Sequence, residues 1–247
     1  MTDPPPPPSG FTTSLRAREE VAEGTMAFHF DRPAGFSFRA GQATDFTLLA
    51  PSETDAEGDT RTFSIASPPS ANEVLVATRL RDTAFKRVLR TVPLGTAVRV
   101  AAPGGNMTLH NDAQRTAVLL TGGIGITPFR SIVLRASIEK LSHKIYLFYS
   151  NHRPEDAAFL EELHGLERTN PNYHFIPTMD GMERSRRPWE GEVGHIDRAL
   201  VDRYLIDPIR PVYYSAGPPA FVTAMRTMLH GFGVDDDDIR TEEFSGY

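Results

Sequence analysis

The 247-residue chain contains no cysteine. Disulfides, thiolate nucleophiles, cysteine-ligated zinc and cysteine-bound iron–sulfur clusters are therefore excluded within it. Such a composition fits a reducing compartment, and the cytoplasm is the expected location. Long apolar runs are missing too. None approaches the ~20 residues needed to cross a bilayer, so no membrane span is expected. Basic residues are not in excess: 26 Lys and Arg face 32 Asp and Glu, a formal net charge of −6. Nucleic-acid phosphates are bound by clustered Lys and Arg, so nucleic acid is not expected as a partner. The 8 histidines are scattered, with no His-Glu-x-x-His or comparable ligand set, and no metal centre is expected. The acidic run Asp235 to Asp238 lacks the spaced ligands and closing Glu of a calcium loop and reads as a solvated turn. In residues 1–10, prolines Pro4 to Pro8 stand where a secretory signal would need an apolar core. That stretch reads as a disordered polyproline II tail.

What is present falls into two halves of different grammar. Residues 11–110 carry short β-prone runs at 21–30, 44–49, 61–66, 73–80 and 97–102, separated by Pro/Gly turns. Closely spaced strands without long helices predict a small antiparallel barrel or sandwich. One short helix is expected at 84–90, with Thr83 as its cap. From about Arg115 the pattern becomes alternating strand and helix, with a boundary near 110–114. Strands are expected at 116–121, 144–150, 173–178, 212–215 and 239–244, and helices at 128–138, 154–166 and 218–230. This is the pattern of an α/β doubly wound parallel sheet over 111–247.

Between the first strand and helix of that half lies Gly122-Gly123-Ile124-Gly125-Ile126-Thr127-Pro128. Glycines allow close approach of a pyrophosphate, and a helix N-terminus adds free N–H groups and a positive dipole. Thr127 is expected to cap the helix and Pro128 to open it. A second small-residue turn, Ala216-Gly217-Pro218-Pro219, follows the strand at 212–215, where ligands of doubly wound sheets bind. Each turn taken alone also fits plain packing.

Together with Arg61-Thr62-Phe63-Ser64, these motifs resemble the ferredoxin–NADP reductase-like flavoproteins, in the family's order and over nearly the whole chain. The first resembles the family's Arg-x-Tyr-Ser flavin motif, the glycine turn its pyridine-nucleotide turn, and residues 216–219 its Cys-Gly-Pro-Pro turn. Gly41-Gln42 and the ending Glu242-Glu243-Phe244-Ser245-Gly246-Tyr247 also match. The resemblance implies an antiparallel β-barrel flavin-binding domain (11–110) followed by an NAD(P)-binding domain (111–247). It implies FAD as cofactor, NAD(P)H as electron donor and a separate electron acceptor, either a small redox protein or a small molecule.

Residue roles follow from the same resemblance. Arg61 would pair with the flavin pyrophosphate, with Arg79 and Thr83 adding contacts and Thr62 within the motif. Phe63 would lie against the ring, and Ser64 would hydrogen-bond near flavin N5. Gly122, Gly123, Gly125, Thr127 and Pro128 would hold the nucleotide pyrophosphate, and Ala216, Gly217 and Pro218 the nicotinamide. Tyr247 would cover the flavin face, with Glu243 as a proton relay. Ala216 departs from the family's cysteine. At the adenosine ribose, Asn151 and Arg153 end one strand and Asp180 the next. Arginine favours a 2′-phosphate and a carboxylate favours bare hydroxyls; Asp180 tilts the expectation toward NADH, with NADPH the alternative. Arg184, Arg186 and Arg187 read as a solvated charge cluster. A flavin-binding redox sensor without turnover is the alternative function.

Overall fold

The first half is built from β1 (Gly10–Ala22), β2 (Thr25–Asp31), β3 (Ala43–Leu48), β4 (Thr60–Ser64), β5 (Glu73–Arg79), α1 (Ala84–Thr91) and β6 (Ala97–Ala101) in a computed structural model. The structure describes residues 10–206 and 208–244. The order β4-β3-β6-β1-β2-β5 is antiparallel throughout. β1 serves two ladders: residues 10–14 pair with β6, and the strand from Leu15 onward pairs with β2. Register shifts after Leu15 and Glu20 bend it between them. The two end strands are joined just past their ladders. Ala66 N–H donates to Leu75 O at 2.7 Å, and the Ser67 hydroxyl accepts from Leu75 N–H and donates to Glu73 O. Alternation turns Phe28 and Phe30, Val74 and Val76, and Val98 and Val100 into one core, which Phe85 of α1 closes.

Two readings of this half are corrected. The run at 21–30 is a hairpin rather than one strand, because Gly24 (φ +65°) turns the chain between β1 and β2. Most of β1 escaped the sequence reading because only Thr13 and Leu15 of its residues are buried, leaving no apolar alternation to see. Gly10, grouped with the tail, is the first residue of β1, and residues 1–9 lie outside the described part.

The second half comprises β7 (Ala117–Gly122), α2 (Ile126–Ile138), β8 (Ile145–Asn151), α3 (Leu160–Glu167), β9 (Tyr173–Met179), β10 (Glu192–Val193), α4 (Arg198–Tyr204), β11 (Val212–Gly217), α5 (Pro219–Gly231) and β12 (Ile239–Glu243). Its sheet is parallel, in the order β10-β9-β8-β7-β11-β12. The order reverses between β7 and β11, which opens a crevice at their carboxyl ends. β7 and β11 are wholly buried, as strands covered on both faces must be. The helix expected at 154–166 is a 3-10 turn (Pro154–Asp156) and a separate α3. Phe159, at φ +61°, interrupts the pair and lies under the Arg130 guanidinium. β10 and α4 carried no sequence signal: one is two residues long, and the other is a short helix with two buried residues.

One apolar cluster spans the halves, running from Ala27, Leu75 and Ala77 of the antiparallel sheet to Leu119, Phe129 and Tyr149. Polar bonds fix the same junction. From α2, Arg130 donates to Ala66 O (2.8 Å) and, as a fork, to Glu162, while the Ser131 hydroxyl donates to Ser67 O (2.7 Å). These bonds hold the chain immediately after Ser64 against the helix that follows the glycine turn. The linker is pinned by His110, whose N–H donates to the Tyr214 hydroxyl of β11. Among the described residues no helix is long and apolar enough to cross a membrane.

Candidate functional site

At the carboxyl ends of β7 and β11 the two small-residue turns touch. Residues Gly123–Gly125 form a 3-10 turn leading into α2, with Gly123 at φ +54°. A Cβ on Gly125 would lie 2.3 Å from Ala216 O and 2.7 Å from Gly217 Cα. Gly217, at φ +150°, would bring a Cβ to 3.1 Å from Gly122 O. Glycine at 125 is thus required by the neighbouring turn, whereas Gly123 is partly exposed at the crevice. The Thr121 hydroxyl, which sequence reasoning missed, donates to Ala216 O at 2.9 Å and ties the turns together. Thr127 is not the cap. α2 begins at Ile126 after Gly125, and buried Thr127 donates from its hydroxyl to Ile124 O. Pro128 is the third residue of α2 rather than the first, a place where its missing N–H costs nothing because the first-turn donors have no intrahelical partners. Pro218 caps α5.

The flavin-type motif lies on β4. Arg61 is mostly buried, its guanidinium over the Phe85 ring. It donates to the carbonyls of Glu57, Gly58 and Thr60, and pairs with Asp55 (3.1 Å) and Glu57 (2.9 Å). Asp55 also accepts from the N–H of Ala84, the first residue of α1, at 2.9 Å, while the Thr83 hydroxyl caps the same helix by accepting from Lys86 N–H. Arg61 and this helix end therefore form an anion cradle, and a carboxylate sits in it. Phe63 packs between Phe46 and Phe85. Exposed Thr62 bonds to Asp45, away from the cradle. Arg79 does not join the cradle. It ends β5 on the face of Leu75 and Ala77, which turns toward the second domain, and its charge acts on Tyr149 and Asp156.

Ser64 closes the motif and reaches across the domains: its hydroxyl donates to Glu242 Oε1 at 3.4 Å. Glu242 pairs in register with Ala216, and Phe244 N–H donates to Gly217 O at 3.0 Å. Burial lifts the Glu242 carboxyl above its ordinary range, against the opposing hydrogen bond from Ser64. The carboxylate beside Ser64 is thus Glu242, not Glu243. Strand alternation sends Glu243 to the exposed face, toward Arg226 and His230 of α5. Half-buried Phe244 packs on the interdomain cluster. Tyr247 lies outside the described residues.

At the far end of the crevice, Asp180 follows β9 and is nearly buried. Its oxygens are taken by His152 Nδ1 (2.5 Å) and His195 Nδ1 (3.0 Å), both on exposed rings. Backbone bonds from Asp180 N–H to Asn151 O and from Gly181 N–H to His152 O hold it beside the end of β8. Asn151 itself is buried there. Arg153 is committed elsewhere, in a fork to Asp156 and a contact to Glu23. Exposed Arg184, Arg186 and Arg187 are paired with Glu183, Glu23 and Glu161. No group of three metal-ligating side chains is set to hold an ion among the described residues.

Residues 119–227 match the family model for the oxidoreductase NAD-binding domain. Over 223 residues, 89% of this chain, the sequence is 24% identical to the glycine betaine monooxygenase reductase subunit of Chromohalobacter salexigens, and it spans 60% of that relative's length. The flavohaem-like FAD/NAD-binding domain of nitric oxide dioxygenase from Vibrio cholerae O1 biovar El Tor has the same fold, with TM-score 0.80, 20% identity and coverage of 95% of this chain and 98% of that one. A ferredoxin NADP+ reductase from Neisseria gonorrhoeae, solved with FAD and NADP bound, gives TM-score 0.78, 19% identity and coverage of 95% and 98%. Residues 119–227 therefore belong to the oxidoreductase NAD-binding domain family, and the chain has the two-domain fold of the ferredoxin–NADP reductase-like flavoprotein reductases.

Proposed function

We propose that this chain is a flavin-dependent NAD(P)H reductase that holds FAD on residues 11–110, binds the nicotinamide nucleotide on 111–247, and passes electrons to a separate acceptor. The observation that carries this reading is the contact of Ser64 with Glu242, which joins the flavin motif of one domain to the nicotinamide turn of the other. The carboxylate already seated against Arg61 and the first N–H of α1 supports the fit of a pyrophosphate there. FAD, when bound, would supply a ring that accepts hydride and returns electrons one or two at a time.

The chain's own residues bind and align. Arg61, Thr83 and the α1 N-terminus would hold the flavin pyrophosphate, and Phe63 would give the ring an apolar edge. Ser64 would turn its hydroxyl toward the flavin ring, and Glu242 behind it would hold a proton within reach of that hydroxyl. Gly123 and the first N–H groups of α2 receive the nucleotide pyrophosphate. The Ala216–Gly217 backbone has no side chain large enough to keep a flat ring away, and orienting the two rings is the main catalytic contribution a protein makes here. The acceptor is a redox protein or small molecule; the relative above, a monooxygenase reductase subunit, favours an oxygenase component. The cysteine-free composition favours a cytoplasmic setting.

Anaerobic addition of NADH to the purified holoprotein is expected to bleach the flavin absorbance; flavin left oxidised by both NADH and NADPH would sink the reading. Asp180 would set the preference for NADH by exchanging its contacts with the exposed His152 and His195 rings for ribose hydroxyls and by repelling a 2′-phosphate. Asp180→Arg is expected to shift the ratio of kcat/KM for NADH and NADPH toward NADPH by on the order of tenfold or more. An unchanged ratio would remove Asp180 from the ribose site.

A further inference from the structure

The segment between β3 and β4 carries Glu53, Asp55, Glu57 and Asp59 within seven residues. It is largely exposed, but Asp55 is turned inward. One Asp55 oxygen accepts from Arg61 Nη2 (3.1 Å) and from Glu57 N–H (3.0 Å), and the other accepts from Ala84 N–H (2.9 Å). Glu57 adds a second carboxylate on the same guanidinium nitrogen at 2.9 Å. Arg61 Nη1 is shared among the carbonyls of Glu57 and Gly58 in the same segment and of Thr60 at the start of β4. The carboxyl of Asp55 is held below its ordinary value: burial opposes ionisation, but the N–H groups of Ala84 and Glu57 and the Arg61 guanidinium outweigh it. These are donors a phosphate oxygen would use, the Arg61 Nη2 and the first amide of a capped helix. A pyrophosphate and the Asp55 carboxylate cannot take them together, because the donors are shared and the charges are alike.

Resting on the reading of this cradle as the flavin-pyrophosphate site, we propose that Asp55 is a built-in competitor for that phosphate. The segment closes the cradle with its own carboxylate, and a phosphorylated flavin binds by displacing it. Asp55 then sets how strongly the site prefers FAD to riboflavin, since riboflavin brings no phosphate and leaves Asp55 in place. Specificity is a difference of affinities, and a tethered carboxylate at high effective concentration subtracts from one ligand only.

The test is flavin binding by the full chain freed of flavin, followed by quenching of flavin fluorescence, with FAD and riboflavin as separate probes. Asp55→Asn keeps the side-chain shape but removes the charge. It is expected to tighten FAD on the order of tenfold and to leave riboflavin unchanged, so the FAD-to-riboflavin ratio rises. Glu57→Gln, which touches Arg61 but not α1, is expected to move the ratio the same way by a smaller factor; it keeps the test open if loss of the Ala84 contact unfolds the first variant. A ratio that falls in the variants would make Asp55 an anchor that positions Arg61, and an unchanged ratio would make it a bystander; either overturns the proposal. Wild-type protein that binds neither flavin would overturn the flavin site itself, a result distinct from wild-type binding without a shift in ratio.

Discussion

Gly125→Ala is expected to destabilise the protein by on the order of 3 kcal/mol or more and to abolish NADH-driven flavin reduction. The backbone at Gly125 is ordinary helical (φ −57°, ψ −9°), so conformational freedom is not what glycine supplies there. The requirement is distance. The added Cβ would lie 2.3 Å from Ala216 O, 2.6 Å from Ala216 C and 2.7 Å from Gly217 Cα, all backbone atoms that no rotamer change can move. Relief must come from pushing β11 away from β7. That would break the Thr121–Ala216 bond and open the crevice where both turns meet. Gly231→Ala at the end of α5, where a Cβ meets nothing within 4 Å, is the matched control and should leave stability within ~1 kcal/mol. At 2–4 °C per kcal/mol for a chain of this size, the Gly125 variant should melt roughly 6–12 °C lower, or more. A melting temperature equal to wild type would mean the two turns are not packed as described.

That result bears on what the sequence could and could not reveal. The strand–glycine–helix pattern at 116–138 was legible because it is local: a buried run, a tight turn and an amphipathic helix follow one another in the chain. The purpose of its glycines was less so, because the partner of Gly125 is 91 residues further on, at Ala216. Glu242 and Glu243 are indistinguishable as neighbours in a string. Only the β11–β12 register, which sets Glu242 beside Ala216, decides which carboxylate faces Ser64. Arg130 carries no signal of its own in the sequence, yet it is buried and holds the carbonyl of Ala66, two residues past Ser64. Asp55 lies in a polar stretch of sequence, and that stretch is folded back onto Arg61 by contacts that composition cannot express. Local periodicity fixes the elements, while the site is assembled from contacts between residues far apart in the chain.

The Ser64–Glu242 pair carries the other large effect. Ser64→Ala is expected to slow anaerobic flavin reduction by NADH about a hundredfold while flavin content is retained, because it removes the hydroxyl proposed to face the flavin ring but none of the proposed phosphate contacts. Glu242→Gln should slow the reaction less and flatten its pH dependence, since the amide keeps a partner for Ser64 but cannot take up a proton. Stability should move the opposite way. In the unfolded chain Glu242 ionises near its ordinary 4.5; in the folded protein burial raises that value. Between the two the native state binds the extra proton, so stability falls as pH rises through this window and stays lower above it. The glutamine variant escapes that loss. It should match wild type at pH 4 and melt at a higher temperature than wild type at pH 8, while turning over more slowly. A residue kept for packing would lose stability when replaced; one kept for its proton gains stability and loses rate. If Glu242→Gln melts below wild type at pH 8, the carboxylate is a structural partner of Ser64 and the proton route must lie elsewhere.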